Sequence, residues 1–231
     1  MKITAISAPS RRVDRRRART RAALLEAGRS LLAHREVEGV SIDEIVAAAD
    51  VAKGSFYNHF ADKDVFAREI GAAVRRQAEA AIARENAGIE DPALRLAQAL
   101  CVFVRFAIEH RESAQVLWRL NSGATMADAP INRGLRDEVI LAAKSAALAD
   151  FDVETGVLLV MGTIIIALRH VLEQRVVTPP PVIAARMSAG MLRALGFTAR
   201  RAQKLAAKAC KTIFGQPTKS GGAGGSDQSV G

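Results

Sequence analysis

The stretch that decides the fold is GVSIDEIVAAADVAKGSFYNHFADKDVF, residues 39–66. Near its start Ser41 is followed three residues later by Glu44, and such a pair can form a capping box in which each side chain binds the other's free backbone N–H group. Apolar residues then recur at helical spacing: Ile42, Ile45, Val46 and Ala49. The pattern predicts a short helix that begins after Ser41, buries one stripe and ends near Asp50.

A second short helix is predicted within DVAKGSFYNHF, residues 50–60. At about 100° per residue, Ala52, Phe56 and Phe60 share one face, which we expect to be buried. The opposite face is small and polar, with Lys53 and His59 at its flanks: Gly54, Ser55, Tyr57 and Asn58. Two short helices, a tight turn and a hydrogen-bonding outer face are typical of a helix-turn-helix, whose second helix enters the DNA major groove.

The same stretch resembles the DNA-binding segment of the TetR/AcrR family of bacterial transcriptional regulators. The features that carry the resemblance are the capped helix after Ser41, the GSFYNHF helix and the lysine that follows it, Lys63. The resemblance covers about residues 14–66, and the remainder agrees in being helical and of suitable length. The turn at residues 49–52 departs from the family, which more often has Gly and Ser there, and Ala52 lacks a hydroxyl for a phosphate contact.

Two arguments give the candidate DNA-binding residues. By side-chain chemistry, Lys53, Ser55 and Asn58 are candidates for base contacts, since Lys reaches guanine acceptors and Asn can pair with adenine. The resemblance implies phosphate contacts by Tyr57 and His59, with Lys63 adding charge. The full predicted set is Arg17, Ser41, Lys53, Gly54, Ser55, Tyr57, Asn58, His59 and Lys63. The alternative is that some of these residues, Ser55 especially, only hydrate the helix.

Charge is unevenly distributed along the 231 residues. The formal net charge is +9, with +7 in residues 1–21 and +5 in residues 198–231, so the middle carries about −3. The arginine-rich N-terminal arm directly precedes the predicted helix-turn-helix. Such an arm contacts phosphates, enters a neighbouring minor groove or serves as a solubilising tail, and we expect mainly phosphate contacts.

Composition predicts an all-α protein, because aromatic residues make up only 4% of the chain, Ala-rich runs favour helix and no segment alternates at period two. We predict a flexible basic arm (1–13), a three-helix helix-turn-helix domain (14–66), a helical regulatory and dimerisation domain (67–214) and a disordered Gly/Ser-rich tail (215–231). The helices predicted after the helix-turn-helix are about 62–86, 91–110, 113–120, 132–150, 153–176, 181–195 and 198–214, with a loop at 121–130.

The resemblance implies that the larger C-terminal part dimerises and holds a ligand pocket. Residues 157–168 are apolar almost all round, so they need burial on more than one side, within one chain or against a partner. The candidate dimer-interface residues are Ile164, Ile165, Leu168, Met187 and Met191. The candidate pocket residues are Phe103, Phe106, His110, Trp118, Arg119 and Met161, and the alternative is that a Phe or Met at helical spacing belongs to the ordinary core.

Other functional classes have little support in the sequence. The two cysteines, Cys101 and Cys210, build no disulfide framework, which agrees with a reducing cytoplasm. The four histidines lack metal-ligand spacing, and we predict neither a metal nor another cofactor. The absence of a GxSxG elbow and of a P-loop argues against an enzyme. The most apolar run, twelve residues from Val157, is shorter than the roughly 20 needed to cross a bilayer, so no membrane partner is predicted.

The sequence therefore predicts a cytoplasmic, ligand-responsive transcriptional regulator. We expect a repressor that binds a palindromic double-stranded DNA operator as a homodimer and responds to an unidentified small-molecule effector. The alternative is a helical small-molecule-binding or scaffolding protein whose helix-turn-helix no longer reads DNA.

Overall fold

The computed structural model describes residues 11–120, 132–146, 152–173 and 177–215. Within these ranges the regular structure is helical and no strand occurs, as the sequence predicts. The helices are α1 (Arg11–His34), α2 (Ile42–Ala48), α3 (Lys53–Tyr57), α4 (Lys63–Glu85), α5 (Pro92–Glu109), α6 (Arg111–Arg119), α7 (Arg133–Ser145), α8 (Val153–Leu172), α9 (Pro180–Ala194) and α10 (Ala199–Phe214). The loop predicted at 121–130, most of the predicted basic arm and nearly all of the predicted tail lie outside the described residues.

Side-chain caps fix where several helices begin. Ser41 and Glu44 form the predicted capping box: the Ser41 hydroxyl accepts from the Glu44 N–H at 3.2 Å, and the Glu44 carboxylate accepts from the Ser41 N–H at 2.8 Å. The hydrogen bond from Arg35 has the largest effect in lowering the pKa of Glu44 to about 2, and the hydrogen bonds from Ser41 lower this pKa further. Asp62 caps α4 and Asp91 caps α5 ahead of a first-turn proline.

Two helices end earlier than the pattern predicts. The described part of α7 ends at Ser145 rather than near residue 150, and α8 ends at Leu172 rather than near residue 176. The Glu173 backbone is extended, which terminates α8 before the predicted end. Residues 147–151 and 174–176 lie outside the described ranges, so the last predicted residues of both helices have no structural description.

The body of the protein is built around α5, whose residues are buried on nearly every side. It packs against α4, α6, α7, α8, α9 and α10. A helix that is apolar all round is stable in water only when other elements cover it. The buried apolar residues form one continuous cluster from Leu24 in α1 to Ile213 in α10. The helix-turn-helix therefore rests on the same core as the rest of the chain.

The helix α8 is longer than the twelve-residue run suggested, because it extends over 20 residues. Of the helices in the described ranges, α8 is the one with the length and hydropathy to cross a bilayer. The length argument against a membrane span was therefore wrong. Its inner face, however, packs against α5, α6, α7 and α9. One face of α8 is thus covered by other helices, while much of the remaining surface is exposed in the single chain.

Three phenylalanines form the core of the helix-turn-helix. The rings of Phe56, Phe60 and Phe66 are fully buried, and their centroids lie 4.8–5.5 Å apart in edge or tilted contacts. Gly28 in α1 faces this cluster, and an added Cβ there would overlap the Phe66 ring and approach Ile70 Cδ1 to 2.7 Å. The glycine thus allows α1 to pack closely on α4.

The turn between α2 and α3 contains a residue in the left-handed region. Asp50 has φ of 52°, a conformation that most L-residues avoid and that Asp and Asn tolerate better than others. Residues 49–52 of this turn stand where Gly and Ser are more usual in the family that the sequence resembles. The structure explains how the turn is still made, because Asp50 takes the conformation that glycine would adopt more easily.

Candidate functional site

The polar face of α3, made of Lys53, Gly54, Ser55, Tyr57 and Asn58, is presented to solvent while Phe56 anchors the helix from below. Tyr57 keeps 56% of its surface exposed although its ring meets Phe56 edge-on, with centroids 5.5 Å apart. Lys53, Gly54 and Asn58 are exposed, and Ser55 is half-buried. A buried aromatic underside thus holds a row of hydrogen-bonding groups at the surface.

Two details of the predicted α3 differ in the structure. Ala52 was expected on the buried face, but it is exposed, because it is the N-cap residue with extended backbone rather than part of the helix. Phe60 was expected to be helical, but α3 ends at Tyr57. Phe60 is nevertheless buried, since the turn after α3 directs it onto Phe66.

Lys53 is held by a carboxylate from the preceding helix. Its Nζ lies 2.8 Å from Asp43 Oδ1. The hydrogen bond to Asp43 is the main reason why the pKa of Lys53 is raised. Both side chains are more than half exposed, and exposed ion pairs of this kind contribute little to stability. The ammonium group can therefore exchange Asp43 for another acceptor at small cost.

Basic residues of α1 lie beside the end of α3. Arg17 donates from Nη2 to the Asn58 carbonyl at 3.4 Å, and the Arg21 guanidinium lies over the Phe60 ring at 5.3 Å. Partial burial, followed by the charges of Arg17 and Arg21, lowers the His59 pKa. His59 is therefore neutral near pH 7, and it can offer a single N–H to an anion.

Two of the predicted DNA-binding residues also have structural contacts. Lys63 Nζ donates to the carbonyl oxygens of Val40, at 2.9 Å, and Glu38, at 3.3 Å, and so ties the start of α4 to the loop before α2. Ser41 Oγ donates to Glu44 Oε2 at 2.8 Å in addition to its capping role. Lys63 retains one N–H for another acceptor, whereas the Ser41 hydroxyl is already used as donor and acceptor.

A cavity of about 460 Å³ lies in the body, between α4, α5, α6, α7 and α8. Its wall is mostly apolar, with the aromatic rings of Phe103 and Trp118 among the lining side chains. Its polar lining residues are Arg75, Glu79, Asn86, Arg95, Asn132 and Glu138. Pockets of about 300–1,000 Å³ with an apolar wall and a few polar groups are typical of small-molecule sites.

Three of the six predicted pocket residues line this cavity: Phe103, Trp118 and Met161. The other three do not line this cavity. Phe106 is buried in the core, next to His110, with ring centroids 5.1 Å apart. His110 is exposed at the junction of α5 and α6, and Arg119 turns away toward α1.

The helix α6 links the cavity to α1. Leu117 and Trp118 line the cavity, while Arg119 donates from Nε to the Ala33 carbonyl at 3.3 Å and pairs with Glu36 just beyond the end of α1. At the other end of α6, Glu112 lies 3.2 Å from Arg29 of α1. One short helix therefore contacts both the cavity and the helix that supports α3.

Residues 24–70 match the family model described as bacterial regulatory proteins, tetR family. This segment of the chain is a TetR-type DNA-binding segment. Over 47 residues it is 43% identical to the HTH-type transcriptional repressor DhaR of Mycobacterium sp. (strain GP1). That match covers 20% of this chain and 24% of DhaR, so it spans about a quarter of the relative's length.

Solved structures share the TetR fold over most of the chain. RolR in complex with resorcinol is 23% identical, with a TM-score of 0.57, and the match covers 84% of this chain and 96% of RolR. The TetR-family protein CprB from S. coelicolor A3(2) is 24% identical, with a TM-score of 0.57 and coverage of 85% and 98%. At these identities the likeness concerns the fold alone.

The structure places the predicted dimer-interface residues of α8 and α9 as follows. Leu168 and Met191 are only 3% and 2% exposed, because they pack inside their own chain, and their assignment to an interface is corrected. Ile164 and Ile165 line the cavity and Met187 is half-buried. The large apolar residues that α8 and α9 leave exposed are instead Leu158, Leu159, Ile166 and Val182.

The polar cavity residues were missed by sequence reasoning. Arg95 and Glu138 form an ion pair at 2.9 Å although 43 positions separate them in the chain. Asp43, the partner of Lys53, was also overlooked. The ten-residue spacing of Asp43 and Lys53 could have suggested their ion pair from the sequence. No spacing of charges indicates the ion pair between Arg95 and Glu138.

Proposed function

We propose that this chain is a TetR-family transcriptional repressor that binds operator DNA as a homodimer and releases it when a small effector fills the cavity. The observation that carries the DNA-binding part is the polar face of α3, held outward by fully buried phenylalanines and flanked by Arg17. Helix-turn-helix proteins read the major groove with such a helix. The rival, a helical protein that no longer reads DNA, leaves this exposed polar face unexplained.

Selection of bound DNA from a random pool tests this function. The full chain is expected to enrich a palindromic sequence whose half-sites are about one or more helical turns apart, since a two-fold dimer presents two α3 helices. The enriched duplex then serves as the operator in the tests below. Recovery of unrelated sequences with no consensus would contradict sequence-specific binding and favour the rival.

Base and phosphate contacts can be separated on the polar face of α3. Lys53→Ala and Asn58→Ala are each expected to cost roughly 1–3 kcal/mol on the operator and to relax preference at particular base positions. Tyr57→Phe removes one phenolic donor and is expected to weaken binding to all sequences alike, as a lost phosphate contact does. Binding isotherms on the operator and on single-base variants measure both effects, with Glu173→Gln, a substitution of an exposed residue just after α8, as the control.

If Lys53→Ala and Asn58→Ala both discriminate between single-base variants as wild type does, the base-reading assignment is wrong.

Asp43→Asn tests the role of Lys53 in the opposite direction, because Asp43 is the ion-pair partner of Lys53. It frees the ammonium group and removes a negative charge from the surface facing DNA. Operator affinity is expected to rise in this variant, most strongly at low salt.

A substitution at Gly54 is expected to affect protein stability and DNA binding in opposite directions. A Cβ at this position would meet nothing within 4 Å, so the fold leaves room for a side chain. Gly54→Ala is expected to raise the free energy of unfolding by about 0.5–1 kcal/mol, because glycine is a poor helix former. Operator affinity is expected to fall, because the methyl group occupies the space into which DNA would move. Urea unfolding and binding isotherms measure the two opposite effects.

An operator affinity equal to wild type in Gly54→Ala would show that DNA does not approach this part of α3. Gly134 provides the matched control, since it is the second residue of α7, as Gly54 is of α3, and an added Cβ there also meets nothing within 4 Å. Gly134→Ala is expected to gain stability in the same way without loss of DNA binding in the absence of effector.

The dimer proposal rests on the exposed apolar residues of α8 and α9. Leu158, Gly162 and Ile166 are all exposed and recur every four residues along α8, so they lie on one face of that helix. Val182 adds an exposed apolar side chain on the adjacent α9. Burial against a second copy would remove this surface from water, at about 25 cal/mol per Å².

The effector proposal rests on the cavity and its link to α1 through α6. The solved structure of RolR contains resorcinol, and other structures of the same fold are named gamma-butyrolactone receptors. By analogy, the cavity of this chain holds a small organic effector. A cytoplasmic location and the lack of enzymatic activity follow from the proposed role as a repressor.

A further inference from the structure

The charged groups that line the cavity cancel one another. Two arginines and two glutamates contribute to the wall. Arg95 Nε lies 2.9 and 3.1 Å from the two carboxylate oxygens of Glu138, and Arg75 Nε lies 2.8 Å from Glu79 Oε1. A ligand that carries a net charge would therefore lose its hydration without meeting an opposite net charge.

Several arginine donors beside the cavity are already engaged. Arg95 Nη1 donates to the carbonyl oxygens of Ile89 and Glu90, at 2.7 and 3.1 Å. This polar end also offers acceptor capacity, because the two carboxylate oxygens of Glu138 share the single N–H of Arg95 Nε and can accept further hydrogen bonds. Asn86 also lines the cavity, and its Nδ2 donates to the Arg95 carbonyl at 3.3 Å.

The rest of the wall suits a flat apolar body. Phe103 and Trp118 contribute aromatic rings, and branched or flexible aliphatic residues such as Leu96, Met161 and Ile165 complete it. The Arg169 guanidinium lies over the Trp118 ring at 5.1 Å and keeps that ring in place. Aromatic ligands pack favourably on such rings in offset or edge-to-face contacts.

We propose that the cavity takes an uncharged, mainly apolar ring compound whose hydroxyl group donates a hydrogen bond to the Glu138 carboxylate. This ligand assignment rests on the proposed function in one respect only, namely that the bound compound is the effector. Binding itself is a property of the cavity and can be measured without DNA.

Three probes of nearly equal shape test the assignment on the full chain: para-propylphenol, propylbenzene and para-propylbenzoate. The phenol is expected to bind most tightly, because it alone offers a donor without a charge. Loss of a hydrogen bond to a charged acceptor is expected to weaken propylbenzene by roughly tenfold or more in Kd. The benzoate is expected to bind weakest. Calorimetry and the fluorescence of Trp118, the single tryptophan, measure the three affinities.

One substitution should invert the preference. Glu138→Gln keeps the shape of the side chain but leaves the Arg95 charge uncompensated, so the benzoate is expected to gain affinity and the phenol to lose it. Glu85→Gln is the matched control, because Glu85 forms a comparably buried ion pair with Arg105 outside the cavity lining. It is expected to leave the binding order of the three probes unchanged. Circular dichroism establishes that both variants are folded.

The outcomes separate this inference from the proposed function. If no probe binds, if the benzoate binds wild type most tightly, or if Glu138→Gln leaves the order unchanged, the ligand assignment is wrong even when operator binding is normal. If the phenol binds as expected but the chain selects no DNA sequence, the cavity assignment stands and the repressor function fails. Release of the operator by the phenol but not by propylbenzene at equal concentration supports both.

Discussion

Replacement of Ile166 by glutamate is expected to convert the dimer into a monomer and to lower operator affinity by roughly 10²–10⁴-fold. Ile166 is 55% exposed in the single chain and continues the face formed by Leu158 and Gly162. A carboxylate there would be buried without a partner in a symmetric α8 contact, twice per dimer. The loss of affinity follows because a monomer engages one half-site only. Analytical ultracentrifugation and operator binding measure the two effects.

The choice of Ile166 depends on the structure, since Ile165 lines the cavity and its substitution would disturb ligand binding as well. Ile108→Glu is the matched control, because Ile108 is also about half exposed but lies on α5. This variant is expected to remain dimeric and to bind operator normally. A wild-type chain that sediments as a monomer at micromolar concentration contradicts the two-fold mechanism.

Replacement of Phe60 by alanine is expected to reduce the free energy of unfolding by about 3–5 kcal/mol. The side chain is 1% exposed and packs against both Phe56 and Phe66, and the small helix-turn-helix has few other large residues to fill the resulting cavity. Operator binding is expected to fall with stability, because α3 loses the support that holds its polar face outward. Urea unfolding followed by circular dichroism measures the change.

Tyr57→Ala provides the comparison, because Tyr57 is the neighbouring aromatic residue of α3 but is exposed. Its unfolding is expected to resemble wild type while operator affinity falls. Phe60→Leu should recover most of the stability lost in Phe60→Ala, since it restores most of the buried volume. Equal unfolding midpoints for Phe60→Ala and wild type would show that this ring does not support the helix-turn-helix.

The fold was largely predictable from the sequence because its signals are local. The capping box at Ser41, the Asp91-Pro92 helix start and the period of buried residues each depend on neighbours within one helical turn. The errors arose where the signal is weaker. The sequence offers no cap that ends α8, and Ala52 satisfies a helical period although it precedes the helix.

The sites were predictable in part, for a physical reason that differs between them. Residues of the polar face of α3 follow one another in sequence, so their exposure could be inferred from helical geometry. The cavity joins side chains from five helices, and the contact between Arg95 and Glu138 depends on how α5 and α7 pack. Helical period also could not tell which side of α8 meets the cavity and which meets solvent. For that reason Leu168 was assigned to an interface although it is buried.

The position of α6, between the cavity and α1, has a thermodynamic consequence for the proposed repressor. If occupancy of the cavity lowers operator affinity by some factor, bound operator must lower effector affinity by the same factor, because the two binding free energies share one cycle. The effector Kd measured on free protein therefore understates the concentration needed for induction. Couplings of 1–3 kcal/mol are typical, so the discrepancy would be about 5–150-fold. Arg119, which holds Ala33 and Glu36, is where a substitution should reduce both effects together.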